Sequence, residues 1–318
     1  MRYVLRADAS RSMGAGHVMR SSAIAEELIA RGKDVIFVGQ ITDLPWVEER
    51  IACLGFSKIY TGSKEFHSNP ESDVLILDSY TIPTSESFII RKNWRHIVAI
   101  VDEITPDYNC TLRIHPGLDK NWTGRSETPV LAGPKYIPIR ESLSRNSLIR
   151  NEGNKTPKIG VVAGGSDPYE LVKEVARILT KTTTQFEAYL FLGTDNRSII
   201  DPRFQYVQIG QKLDTLTKGI DLVITTASTS SLEFLARGIC VGLVCAIDNQ
   251  KQYYDSLGSL GVAAQLGFRT SSNNWVFDEQ LIYTLIKSRE LRTDLMTKAA
   301  GLIDFNGASR IVDAITSL

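Results

Sequence analysis

An α/β protein made of two doubly wound domains is what this sequence predicts, on three observations. Short β-branched runs alternate with stretches of helical period along the chain, the pattern of parallel sheets covered by helices on both faces. In each half a strand runs into a glycine-containing turn that opens a helix, at Gly14 and Gly16 and again at Gly164 and Gly165. Between the halves lies SRNSLIRNEGNKTPK, residues 144–158, polar and without apolar period, which reads as a linker. At 318 residues the chain exceeds what one core usually serves. The expected division is therefore 1–143, 156–300 and a final segment, 301–318, that packs back on the first domain.

In the first half, strands are expected at 3–6, 34–38, 57–60, 74–78 and 97–102. VLILD and IVAIVD are apolar almost throughout, as strands buried on both faces are. Residues 18–31 carry helical spacing that Gly32 stops, and 45–54 and 84–93 also read as helices. In the second half, strands are expected at 158–163, 186–192, 206–208, 222–225 and 241–245, with helices between them. Residues 308–318 are amphipathic.

Composition excludes several functions. Lys plus Arg equals Asp plus Glu at 36 each, which leaves no long-range field for nucleic acid or an anionic bilayer. No apolar run approaches the roughly 20 residues that cross a membrane, so no membrane insertion is expected. The start, MRYVLRADAS, enters a strand without signal-peptide features, which predicts a cytoplasmic protein. Cys53, Cys110, Cys240 and Cys245 form no CxxC pair and read as small buried hydrophobes, and no histidine pair has metal-ligand spacing. Neither a metal nor a cofactor is expected.

Four motifs can carry chemistry. RADASRSMGAGHVMR, residues 6–20, joins the first strand to the first helix, where ligands gather in open α/β sheets. Gly14 and Gly16 allow close backbone approach, and His17 falls in the first helical turn, where the dipole favours a neutral, proton-accepting ring. That suits a general base; a glycine-rich turn with a capping histidine is the plainer alternative. Asp8 is a candidate for holding substrate or orienting this loop, and Arg6 and Arg20 either face phosphate or pair locally. The second motif, VVAGGSDP, presents Gly164, Gly165 and Ser166 at a turn suited to an anion, unless Ser166 or Asp167 only caps a helix starting near Pro168. The third, TTASTSSLEFLARG, places Ser228, Thr229 and Ser230 at a helix start that favours phosphate, with Glu233 in the first turn. The fourth, AIDNQKQYYDSLGSLG, sets Asp248, Asn249 and Gln250 at the end of an apolar strand. Asp78 and Tyr80 end one buried strand of the first half, and Asp102 and Glu103 the next; they bind sugar hydroxyls or are solvated loop residues.

Taken in order, RADAS, GAGHVMR, LDSY, VDE, LAGPKYIPIR, AGGSDP, STSSLEFLARG and DNQ resemble the nucleotide-sugar hydrolases of pseudaminic acid synthesis, the UDP-2,4-diacetamido-2,4,6-trideoxy-β-L-altropyranose hydrolases. The resemblance implies two Rossmann-like domains facing a cleft, of the glycosyltransferase-B type. It implies metal-independent hydrolysis of a UDP-linked amino- or deoxy-sugar, with His17 as base to the attacking water. By the same likeness the AGGSD turn and Ser228 to Ser230 surround the diphosphate, Glu233 holds the ribose, and Asn249 and Gln250 contact nucleotide or sugar. The chain departs from the pattern at Thr226 and Ala227, where relatives carry Gly-Gly or Gly-Ser, and in IHPGLDKNWTG. The same architecture also serves glycosyltransferases, which pass the sugar to an acceptor, and that is the alternative function; a non-catalytic nucleotide-sugar-binding protein is the second. A nicotinamide dehydrogenase is disfavoured, since no complete GxGxxG follows any strand.

Overall fold

The computed structural model describes residues 1–124, 127–143, 156–192, 199–210 and 213–318. Most of the expected linker, 144–155, lies outside them. The chain forms two compact units, Met1–Glu141 with Asp304–Leu318, and Ser142–Ile303. Each is a parallel-sheet α/β domain, the Rossmann-like class expected.

In the first unit the strands are β1 (Arg2–Ala7), β2 (Ala9–Ser10), β3 (Asp34–Val38), β4 (Ile41–Thr42), β5 (Lys58–Tyr60), β6 (Asp73–Asp78), β7 (His96–Ile100), β8 (Leu112–His115) and β9 (Val130–Ala132). Seven of them form one parallel sheet in the order β5-β3-β1-β6-β7-β8-β9. The short β2 and β4 pair beside the first loop. Chain order runs outward from β1 to β5 and then resumes on the other side with β6, so the topological switch point lies between β1 and β6. The helices are α1 (Gly16–Ala30) and α2 (Pro45–Cys53). Side-chain alternation splits the core: Leu5 and Ile76 pack with Val18 and Leu28 of α1 on one face, while Val4 and Leu75 pack with Trp94 and Phe66 on the other.

The helix expected at 84–93 does not form. Two single 3-10 turns, Ser87–Ile89 and Arg91–Asn93, take its place, with Ile90 extended between them. Trp94 Nε1 donates to the Phe88 carbonyl at 2.6 Å and Asn93 Nδ2 to that of Ser87 at 2.9 Å, so side chains take carbonyls a helix would use. Cys53 is exposed, against its expected burial, while Cys110 and Cys240 are buried.

The second unit has strands β10 (Lys158–Val162), β11 (Glu187–Leu192), β12 (Phe204–Gln208), β13 (Leu222–Thr226), β14 (Cys240–Cys245), β15 (Ala264–Arg269) and β16 (Trp275–Phe277). They order as β12-β11-β10-β13-β14-β15-β16, parallel except for β16. The switch point here lies between β10 and β13. Its helices are α3 (Leu171–Thr180), α4 (Leu213–Leu216), α5 (Thr229–Ala236), α6 (Lys251–Ser259), α7 (Glu279–Lys287) and α8 (Arg289–Ala299). The helix expected to start near Pro168 begins at Leu171. Glu170 takes a left-handed φ of 53°, and the Asp167 carboxylate reaches forward to accept from Leu171 N at 2.8 Å and Val172 N at 3.0 Å.

The chain then returns to the first unit as α9 (Gly307–Thr316), which buries Ile311, Val312 and Ile315 in the core shared with α1. Burial of each such side chain contributes about 1.5–3 kcal/mol. Arg31 ties α1 to α9 through Asp313 at 2.6 Å and Ser309 Oγ at 2.7 Å. Gly307 sits so close to the Ile137 backbone that a Cβ there would lie 2.0 Å from the Ile137 carbonyl oxygen. Gly307→Ala is therefore expected to destabilise the first unit by about 1–3 kcal/mol, read by thermal denaturation, with faster hydrogen exchange in α9.

Candidate active site

At the switch point of the first unit, β1 and β6 end side by side, with Ala7 paired to Asp78. The loop after β1 reverses at Gly14, whose φ of 84° and backbone bond from Gly14 N to the Ser10 carbonyl (2.7 Å) close a turn that favours glycine. α1 then starts at Gly16, which is exposed, and puts His17 in its first turn. His17, Arg20 and Ser21 are spaced i, i+3, i+4 and share one helix face. That face meets Asp78.

The result is a buried cluster around one carboxylate. Asp78 is fully buried, and His17 and Arg20 are 7% and 8% exposed. His17 Nδ1 lies 2.6 Å from Asp78 Oδ1. Arg20 grips both oxygens, Nη2 to Oδ1 at 2.6 Å and Nε to Oδ2 at 2.7 Å, and Ser21 Oγ donates to Oδ2 at 2.9 Å. Burial alone would raise the Asp78 carboxyl, but the charge of Arg20 and the hydrogen bonds from Arg20 and His17 more than reverse this and hold it well below the usual carboxylate range. Arg20 Nη2 also lies 3.3 Å from His17 Nδ1. A nitrogen cannot donate to the carboxylate and accept from Arg20 at once, and the shorter contact decides: an ionised carboxylate only accepts, so Nδ1 carries the hydrogen. Nε2 is then the ring nitrogen left to accept a proton.

Tyr80 completes the pocket. Its ring meets that of His17 edge to face, 4.3 Å between centroids, and its hydroxyl donates to Asp102 after β7. Burial, supported by Asp102, raises the Tyr80 phenol far above its ordinary value, so it stays a donor. Other candidates of this half are used locally. Asp8 Oδ1 accepts from Arg6 Nη1 at 2.5 Å and from Gln40 N at 2.7 Å, which pins the loop after β1 to the loop after β3. Arg20 and Arg6 thus pair within the unit. Glu103 accepts from Trp122 Nε1 at 2.7 Å.

In the second unit the three turns expected to bind nucleotide all lie at the carboxyl ends of adjacent strands, β10, β13 and β14. Gly164 has a left-handed φ of 85°, and a Cβ built on it would stand 3.7 Å from Thr226 Oγ1, so the turns after β10 and β13 are neighbours. Gly165 is half-buried and Ser166 is buried. Ser228 takes the N-cap position of α5 with no side-chain cap, Thr226 Oγ1 lies 3.2 Å from its hydroxyl, and half-buried Thr229 and Ser230 open the helix. Glu233 is corrected: α5 begins at Thr229, which puts Glu233 in the second turn, 5% exposed. Asp248–Gln250 forms one 3-10 turn; Asn249 is exposed, and Gln250 Oε1 accepts from Ala246 N at 2.8 Å, closing its own loop. Among the described residues no group of three or more His, Cys, Asp or Glu could hold a metal, and no helix is long and apolar enough to cross a membrane.

No family model matches the chain. It is 25% identical over 292 aligned residues to an uncharacterized protein of Methanocaldococcus jannaschii, which covers 80% of this chain; the chain spans only 58% of that relative's length. Among solved structures it is similar to MurG of Acinetobacter baumannii (TM-score 0.65, 12% identity, 100% of both chains). It is also similar to the glycosyltransferase SnogD from Streptomyces nogalater (0.60, 14%, 100% of this chain and 99% of that one) and to Arabidopsis thaliana UGT89C1 complexed with UDP-L-rhamnose (0.62, 11%, 99% and 98%). These likenesses show the fold: two Rossmann-like domains of the glycosyltransferase-B type. They also correct the nucleotide-sugar hydrolase expected from sequence, because the similar solved proteins are glycosyltransferases and hydrolysis finds no support among them.

Proposed function

We propose that this protein is a glycosyltransferase that moves a sugar from a UDP-linked donor to an acceptor hydroxyl. The observation that carries the reading is the His17–Asp78 pair: a ring held by Nδ1 against a buried carboxylate, at the strand ends where the fold places ligands. In the reaction the acceptor oxygen forms a bond to the anomeric carbon, the bond from that carbon to the diphosphate breaks, and His17 Nε2 takes the acceptor's proton. Asp78 fixes the ring and offsets the positive charge it gains. Tyr80 limits the ring's motion.

The second unit supplies the donor half. The turn of Gly164, Gly165 and Ser166 and the uncapped start of α5, with Ser228, Thr229 and Ser230, offer backbone N–H groups to the departing diphosphate, which supports release without a metal. Asn249, exposed beside β14, is suited to nucleotide or sugar hydroxyls. Asp8 serves the reaction through the loop it pins. The ordered motifs of the sequence favour an amino- or deoxy-sugar as cargo.

The test incubates the protein with a panel of UDP-sugars, each with and without hydroxyl acceptors, and follows UDP and product by mass spectrometry. UDP release that depends on acceptor is expected; release at the same rate without any acceptor would reject transfer. UDP alone at about 100 times its Kd is expected to stabilise the protein by about 2.7 kcal/mol, seen as a rise in melting temperature.

A further inference from the structure

The four hydrogen bonds on Asp78 are unequally shared, and the arginine holds more of the carboxylate than the histidine does. Arg20 reaches both oxygens, whereas His17 reaches one, and the guanidinium stands 3.3 Å from the ring nitrogen. We propose that Arg20 is a positioning residue that keeps the Asp78 carboxylate from trapping His17 as a cation, so that the ring stays available as the base. This deepens the transfer reading above and rests on it only for its kinetic arm.

The argument is one of charge counting in a buried place. Asp78 and Arg20 sum to zero, so protonating His17 creates a net positive cluster out of water, with a second cation at contact distance. Without Arg20 the same Asp78 would sit at minus one, and a proton on His17 would neutralise it. A lone histidine–carboxylate pair therefore favours imidazolium, and the added arginine withdraws that preference. The remaining ionisable groups nearby do not replace it. Tyr80 packs on the ring and its hydroxyl is committed to Asp102. The Tyr108 hydroxyl donates to the carbonyls of Ser79 and Ile82. On β1, Arg6 is held by Asp8. Bidentate geometry has a second effect: it fixes the carboxylate plane, so that Oδ1 points at Nδ1 and the neutral ring keeps its hydrogen there.

Histidine-selective NMR reads this without any substrate, because the chain has four histidines, His17, His67, His96 and His115, and His17→Asn assigns the resonance. In Arg20→Gln the titration midpoint of His17 is expected to rise by about one pH unit or more relative to the parent. An unchanged or lowered midpoint in a folded Arg20→Gln protein overturns the proposal. Should Arg20→Gln fail to fold, Arg20→Lys carries the test, since it keeps the charge and loses the two-oxygen grip: its midpoint is expected within about half a pH unit of the parent, and a full-unit rise overturns the charge argument. In the transfer assay, Arg20→Gln is expected to lose about tenfold in turnover at neutral pH and to regain it as pH is raised, while a purely structural arginine gives a loss that no pH restores. If His17→Asn itself leaves turnover intact, the transfer reading fails while the NMR result still stands on its own.

Discussion

Replacing His17 by Asn is expected to lower turnover by about 10²–10⁴-fold and to leave UDP affinity nearly unchanged. The asymmetry follows from where the ring sits. His17 belongs to the first unit and contacts Asp78, Arg20 and Tyr80, while the turns proposed to hold the diphosphate all belong to the second. Asn can still donate one hydrogen bond to Asp78, so the buried carboxylate keeps a partner, but an amide cannot take up a proton. Steady-state kinetics with saturating donor, paired with calorimetric UDP binding, separates the two quantities. Near-parental turnover would remove the base from this proposal, and lost UDP affinity would show that the change had disturbed more than the chemistry.

Asp78→Asn is expected to destabilise the protein by about 3–5 kcal/mol, the usual cost of stranding a buried charge whose partner has been removed. Arg20 is that charge: burial alone would lower its guanidinium, and the Asp78 carboxylate more than compensates. The amide offers one acceptor where two oxygens stood, and its own NH2 then faces the guanidinium or Ser21. The pH dependence has a definite sign. The folded carboxyl is depressed below its unfolded value, so its stabilisation is complete above the unfolded value of about 4 and is lost as pH falls below it. The stability gap between the parent and Asp78→Asn should therefore be full near neutral pH and narrow under acid, measured by urea denaturation across pH. A gap that stayed constant down to strong acid would contradict the depressed carboxyl.

Much of the fold is legible because its central strands are buried on both faces and so carry unbroken apolar runs. VLILD appears as β6 and DVIFV as β3 within a residue of their expected ends. Strands with polar interiors escape this reading. LRIH forms β8 although Arg113 and His115 are buried in it, because Arg113 pairs with Asp107 and His115 Nδ1 bonds the Val101 carbonyl at 3.1 Å, partners no local pattern reveals. β15 runs unbroken through Gly267, where a Cβ would lie 2.3 Å from the Val276 carbonyl oxygen of β16, so its glycine marks strand pairing rather than a turn.

The candidate site divides similarly. His17, Asp78 and Tyr80 are each visible in sequence from their place at strand and helix ends. That they meet is not, since 61 positions separate His17 from Asp78 and only the pairing of β1 with β6 brings them together. Ser21 was missed, though i, i+4 spacing from His17 on a helix was a usable signal once the helix began at Gly16. Asp8 and Gln250 stand at strand ends as ligand residues do, and each also accepts from a backbone N–H that no local pattern reveals, Asp8 from Gln40 in the loop after β3 and Gln250 from Ala246 in its own loop.

The first unit is sewn from two separated stretches of chain: its sheet lies before Ser142 and its last core helix, α9, after Ile303. During synthesis the whole of the later-encoded unit leaves the ribosome before Ile311, Val312 and Ile315 do. The second unit can thus reach its native form while the first still lacks part of one wall, which reverses the folding order that gene order suggests. The histidine-bearing unit completes its core only when α9 joins it, so a chain cut before Gly307 is expected to hold a folded second unit beside a first unit open along one wall.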